Sequence, residues 1–187
     1  SRTPEGMINI ANFKPIADRD KVVLVYPEGV QKNWNDGRPT VPNQLGINDV
    51  GFFNQMCDYM INNYSVDGKK IYATGISNGG FMSTRLGCEL SNRIAAIAVN
   101  AATMEATSIA PNCNPGRPVP ALYIHGTTDP LVPFLGGQMT AGGTAGGTIL
   151  SHFQVIEKWV ALNGCNTTPT ITDLPDISND GTTIKQR

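Results

Sequence analysis

Lys70-Ile-Tyr-Ala-Thr-Gly-Ile-Ser-Asn-Gly-Gly80 is the stretch on which the fold turns. Lys70–Thr74 reads as a strand buried on both faces, and Phe81–Leu90 reads as a helix with Met82, Leu86 and Leu90 on one stripe. Between them Gly75-Ile-Ser77-Asn-Gly79 matches the pattern G-x-S-x-G. A serine placed there sits on a sharp strand-to-helix turn that lifts its hydroxyl clear of the sheet. Side chains at the flanking positions would strike the strand or the helix, which accounts for glycine on both sides. The same turn aims the first N–H groups of the helix at the serine, where they can hold an oxyanion. Ser77 is therefore the candidate nucleophile; the plain alternative is a glycine-rich turn with an inert serine.

Working outward, strands and helices alternate. Met7–Asp18 predicts a short helix that Pro15 bends or ends. Lys21-Val-Val-Leu-Val-Tyr26 predicts another doubly buried strand. Gln31–Leu45 reads as a polar loop, and Asn48-Asp49 starts a helix that runs to about Tyr64. Ile94–Val99 and Ala121–Ile124 predict two further strands. Ser151–Asn163 predicts a helix with Ser151 as N-cap, Gly164 as C-cap and Phe153, Ile156, Trp159 and Val160 as its apolar face. Gly136–Gly147 is too rich in Gly, Thr and Ala to carry a packed element, and reads as a solvated linker or a mobile rim. The alternation predicts an α/β fold, a mostly parallel sheet with helices on its faces.

Composition narrows the function. With 14 Lys+Arg against 15 Asp+Glu, the net charge of −1 leaves no electrostatic footprint for nucleic acid or an anionic membrane. At 187 residues with 40% hydrophobic residues, the chain is long enough for one domain, 1–187, with a real core. No apolar run is long enough for a membrane-spanning helix. Ser1 and the lack of a leader pattern lead us to expect a processed chain or part of a longer one. Cys57, Cys88, Cys113 and Cys165 fit no zinc spacing and allow three complete disulfide pairings, among which spacing does not choose. Cysteine usage points to a secreted or periplasmic protein, with buried free thiols as the alternative.

A hydrolytic serine on such a turn needs an acid and a histidine further along the chain. Asp129, in His125-Gly-Thr-Thr-Asp-Pro-Leu-Val-Pro133, follows a strand and lies two strands beyond Ser77, which makes it the candidate acid; an Asp-Pro turn is the alternative. The base is harder to place. His152 is expected on the surface at a helix start, away from the strand carboxyl ends, and His125 precedes the acid and reads as structural. Thr182–Arg187 looks like the beginning of a strand whose following loop would carry the histidine.

Val25-Tyr-Pro-Glu-Gly29, Trp34-Asn-Asp-Gly-Arg38, Asn48-Asp-Val-Gly-Phe52, the Ser77 turn, the His125–Pro133 segment and Trp159 to Cys165 together resemble the α/β-hydrolase esterases of the polyhydroxybutyrate depolymerase and feruloyl esterase group, the neighbourhood of carbohydrate esterase family 1. The resemblance implies an α/β-hydrolase fold, Ser77 as nucleophile, Asp129 as acid and the Asn78 N–H as an oxyanion donor. It implies a secreted enzyme acting on feruloyl, acetyl or hydroxyalkanoate esters, small or polymeric, with no metal or organic cofactor. The family's first strands with their His-Gly oxyanion loop, and its histidine segment, have no counterpart in these residues. Trp34 is a candidate platform for substrate, with loop packing as the other reading. A domain that has lost its base and binds a polymer through Trp34 is the non-catalytic alternative.

Overall fold

The computed structural model describes residues 3–140, 146–178 and 180–187. In chain order its helices are α1 (Pro4–Ile10), α2 (Lys14–Asp20), α3 (Val41–Gln44), α4 (Asp49–Tyr64), α5 (Asn78–Glu89), α6 (Ile109–Asn112) and α7 (His152–Asn163). The strands are β1 (Ile71–Ile76), β2 (Ile94–Asn100), β3 (Ala121–Ile124), β4 (Gly137–Gln138), β5 (Thr148–Ile149), β6 (Thr172–Asp173) and β7 (Lys185–Gln186). The centre is a three-stranded parallel sheet in the order β1-β2-β3.

Alternation along the strands decides what the sheet covers. Ala73, Ile97 and Ala121 share one register row and Gly75, Val99 and Tyr123 the next, all facing the same way. That face packs under α5 and α7. The Tyr123 hydroxyl meets Thr84 Oγ1 of α5 at 2.8 Å and accepts from Trp159 Nε1 of α7 at 2.9 Å. The opposite face leaves Tyr72, Leu122 and Ile124 exposed, so β1 is half-exposed rather than buried on both faces as expected. Helix α5 is enclosed on nearly every side, with Phe81, Met82 and Leu86 at the middle of the core.

Helix α7 forms as its caps dictate. Ser151 Oγ accepts from Gln154 N, the Gln154 side chain returns to Ser151 N, and Gly164 takes the left-handed conformation at φ 62°. Its buried face is centred on Val155 and Trp159, one turn apart, whereas Phe153 stays exposed; the predicted stripe is rotated.

Four further expectations need correction. The Met7–Asp18 helix is two helices, parted at Ala11–Phe13 before Pro15 takes the second position of α2. Lys21–Tyr26 is no strand: Val22–Val25 run without a ladder and stay substantially exposed. The Gln31–Leu45 loop contains a single 3-10 turn at Val30–Lys32 and α3. The shoulders of Gly136–Gly147 do pack, because β4 pairs antiparallel with β5 and Met139 between them is buried; residues 141–145 lie outside the described residues. Thr182–Arg187 contributes β7, which pairs with β6 in a separate exposed hairpin. Cys88 and Cys113 form a disulfide, Cys57 is buried and free, and Cys165 is exposed and free. Among the described residues no helix is long and apolar enough to cross a membrane.

Candidate active site

Ser77 carries the chain from strand to helix in one residue. Its N–H still belongs to the sheet, donating to the Asn100 carbonyl at 3.0 Å, while its own carbonyl accepts the first helical bond from Phe81 N at 3.0 Å. That dual role forces φ to 53° and ψ to −122°, a conformation that costs a non-glycine residue about 1–3 kcal/mol. The side chain is exposed and does not cap α5.

The neighbouring glycines have different reasons. A Cβ on Gly75 would lie 2.3 Å from the Gly79 carbonyl carbon, and one on Gly80 would lie 2.8 Å from Ala102 Cβ. A Cβ on Gly79 would meet nothing within 4 Å, so the steric explanation expected at position 79 belongs instead to position 80.

Asn78 opens α5 with its side chain buried. Its Oδ1 accepts from Trp34 N at 2.8 Å, and its Nδ2 donates to the Trp34 carbonyl at 3.0 Å and to Asp36 Oδ2 at 2.7 Å. Asp36 is in turn paired with Arg38, whose Nη2 lies 2.6 Å from Oδ2 and whose guanidinium sits 3.9 Å over the Phe81 ring. Arg85 Nη1 donates to the Asn35 carbonyl at 2.8 Å. Asn78, Phe81 and Arg85 form one stripe of α5, and the Trp34–Arg38 loop lies along it.

Asp129 follows β3 at the same carboxyl edge of the sheet as Ser77. Its Oδ1 accepts from Leu131 N and Val132 N, each at 2.9 Å, which builds the turn. His125 Nε2 lies 3.7 Å from Oδ2 and donates to the Val132 carbonyl at 3.0 Å.

His152 departs from its expectation. The body of α7 lies on the sheet face, but its first turn reaches the acid turn, with His152 N donating to Phe134 O at 2.8 Å. The imidazole is half-buried, stacks on Phe134 at 4.7 Å and lies 5.7 Å from the His125 ring. Burial, and then the charges of His125 and Arg187, push its pKa down to about 4. Among the described residues, no histidine nitrogen is hydrogen-bonded to Ser77.

A largely apolar cleft of about 830 Å³ runs along β1 and reaches Ser77 and Asn78; Val22–Val25, Phe53 and Trp34 also line it. Trp34 is half-buried, with its ring 5.0 Å from Phe53 and 6.2 Å from Phe52. Among the described residues there is no cluster of three or more His, Cys, Asp or Glu side chains placed to hold a metal ion.

The model of the phospholipase/carboxylesterase family matches residues 43–144, more than half of the chain. The chain belongs to this family of α/β-hydrolases. The chain is similar to feruloyl esterase B of Piromyces equi, with 32% identity over 157 residues, 80% of this chain and 28% of that one. It is also similar to the bifunctional acetylxylan esterase/xylanase XynS20E of Neocallimastix patriciarum, with 29% identity over 66% of this chain and 17% of that one. Feruloyl esterase D of Neurospora crassa is 26% identical over 86% of this chain and 46% of that one. The chain thus spans less than half the length of each of these relatives.

Ser77 and Asp129 both fall within the matched residues. Asp36, Asn35 and Arg85 escaped the residue-by-residue reading. The only signal for Asp36 was its place in Trp34-Asn-Asp-Gly-Arg38, and nothing local marks it as a partner of a residue 42 positions away.

Proposed function

We propose that the full-length protein is a serine carboxylic-ester hydrolase that works through an acyl-enzyme, with feruloyl or acetyl esters of plant polysaccharide as substrates. The observation that carries this reading is the exposed Ser77 at φ 53° between β1 and α5. Ser77 Oγ attacks the ester carbonyl carbon, and its proton passes to a histidine supplied from outside residues 1–187, which Asp129 orients. The Asn78 N–H and a second donor hold the tetrahedral oxyanion. Collapse releases the alcohol, which takes the proton from the histidine. Water then attacks the acyl-enzyme with the same histidine as base and releases the carboxylic acid. Trp34, lining the cleft beside Ser77, supplies an aromatic surface for the acyl or polymer portion. The names of the feruloyl and acetylxylan esterase relatives support these esters over polyhydroxyalkanoate. The Cys88–Cys113 disulfide supports secretion to an oxidising compartment.

One observation favours a second reading: neither His125 nor His152 hydrogen-bonds Ser77. A non-catalytic polymer-binding domain would need no base. Fluorophosphonate labelling of the full-length protein, followed by intact-mass measurement with Ser77→Ala as control, separates the two. We expect a single Ser77-dependent adduct and hydrolysis of methyl ferulate or acetylated xylan in preference to polyhydroxybutyrate. Absence of the adduct would replace the esterase by the binding domain, and turnover of the polyester alone would overturn the substrate class.

A further inference from the structure

We propose that Asp36 is a positioning residue for the oxyanion hole: with the Trp34 peptide it holds the Asn78 side chain and so fixes the direction of the Asn78 N–H. The inference rests on the esterase reading above and adds to it a residue that touches neither substrate nor nucleophile.

Rotation about ψ of Ser77 turns the peptide plane that carries the Asn78 N–H. Ser77 lies at φ 53° and ψ −122°, outside the populated regions for a residue with a Cβ, so its own backbone preference pulls it away from this geometry. Something beyond Ser77 must oppose that relaxation. The first N–H groups of a helix have no partner within it, so α5 itself leaves the Asn78 N–H unheld.

The Asn78 side chain provides the restraint. Three hydrogen bonds of 2.7–3.0 Å engage both ends of its amide. Two of them go to the N–H and the carbonyl of Trp34, an arrangement that only a planar amide in one orientation satisfies. The third goes to Asp36 Oδ2, a carboxylate whose side chain is fully buried. Asp36 cannot drift, because its Oδ1 accepts from Arg38 N at 3.0 Å and its Oδ2 from Arg38 Nη2 at 2.6 Å. Arg38 is itself seated on Phe81, which is hydrogen-bonded to the Ser77 carbonyl. The restraint therefore closes on the nucleophile from both sides: through Asn78 to its following peptide, and through Phe81 to its carbonyl. A loop pinned for stability alone would not need its anchor on the residue that follows the nucleophile.

The test uses the full-length enzyme and counts active sites by fluorophosphonate titration, so that misfolded protein drops out of the rate. N78A keeps the backbone N–H and removes the restraint. We expect its kcat per titrated site to fall about ten- to a hundredfold, with KM within about twofold, because a misdirected donor weakens transition-state binding and not substrate binding. N78D places a carboxylate against Asp36 and should fall further. D36A removes only the third hydrogen bond of the Asn78 amide, at the 2.7 Å contact, and should show the same loss of kcat per titrated site at a smaller size, again with KM within about twofold. A kcat per titrated site of N78A equal to wild type, or a loss confined to KM, overturns the positioning role. A kcat per titrated site of D36A equal to wild type overturns the assignment to Asp36. Failure of the wild-type enzyme to label at Ser77 is a separate result, which overturns the esterase reading and this proposal with it.

Discussion

His125 approaches Asp129 without engaging it: Nε2 stands 3.7 Å from Oδ2 of Asp129 while it donates to the Val132 carbonyl at 3.0 Å. A carbonyl only accepts, so that nitrogen carries its proton toward Val132 and is not available as a base. Asp129 therefore has one oxygen committed to the turn and the other open to a donor outside its own segment.

This division predicts how Asp129→Asn behaves. The amide oxygen can still accept from Leu131 N and Val132 N, so the turn and the melting temperature should be kept. The amide cannot hold a histidine in the correct tautomer or stabilise its charged form, so ester hydrolysis should fall by about a thousandfold or more. His125→Gln, which retains a donor toward Val132, should lose far less. Equal losses in the two variants, measured as kcat/KM on an aryl ester, would make His125 the base.

The glycines of the nucleophile turn should separate cleanly on substitution. In Gly75→Ala the new methyl meets backbone at 2.3 Å, which cannot give as a side-chain tip would. We expect a loss of about 2–3 kcal/mol or more in urea unfolding. Gly79→Ala meets open space on a helical residue and should leave stability unchanged or raise it by up to about 1 kcal/mol. A Gly79→Ala variant as unstable as Gly75→Ala would show that position 79 is sterically closed.

How far these features were legible in sequence depends on the range over which they are specified. Helix α7 was readable because Ser151 and Gly164 are caps, and caps act within four residues. The Ser77 turn was readable because strand, glycine and serine are contiguous. Val22–Val25 has the composition of a strand, but a strand also needs neighbours, and across the cleft from β1 it finds none among the described residues. His152 was misplaced because periodicity gives the face of a helix and not which end of it reaches the site. Asp36 was missed because its partners on α5 are set by the tertiary fold.

The Cys88–Cys113 bond predicts its own cost. It ties the end of α5 to α6 across 25 residues of sequence, and closing a loop of that length restricts the unfolded chain by about 3–4 kcal/mol. Cys88→Ser with Cys113→Ser should lower stability by about that much in urea unfolding. Cys57→Ser tests a different effect, since it puts a hydroxyl in a buried thiol's place on α4 without breaking a crosslink. It should leave the stabilisation by the crosslink in place and still removable by reductant; if the double variant unfolds at the wild-type urea concentration, the bond is absent in solution.

Acid should destabilise the fold in two separate windows. His152 is held at about 4, below the ordinary 6.5, chiefly by burial. Above about pH 6.5 it is neutral in both folded and unfolded chains and costs nothing. As pH falls toward 4 the unfolded chain gains a proton that the native state refuses, so stability drops through that interval. Glu105 acts lower. Burial alone would raise its pKa, but the Thr107 and Ser108 hydroxyls and the N–H groups of Ile109 and Ser108 outweigh it and hold the carboxylate at about 2, against an ordinary 4.5. Its contribution is complete above about pH 4.5 and is lost as pH falls to 2. Urea unfolding from pH 7.5 to 2.5 should show His152→Gln flattening the upper window only. Glu105→Gln should cost about 1–3 kcal/mol at pH 7, a penalty that shrinks below pH 4.5 as the wild-type carboxylate loses its own advantage. A Glu105→Gln penalty independent of pH would mean that the Ser108 and Ile109 bonds do not depend on the carboxylate's charge. A His152→Gln curve parallel to wild type between pH 6.5 and 4 would place the imidazole in water rather than against Phe134.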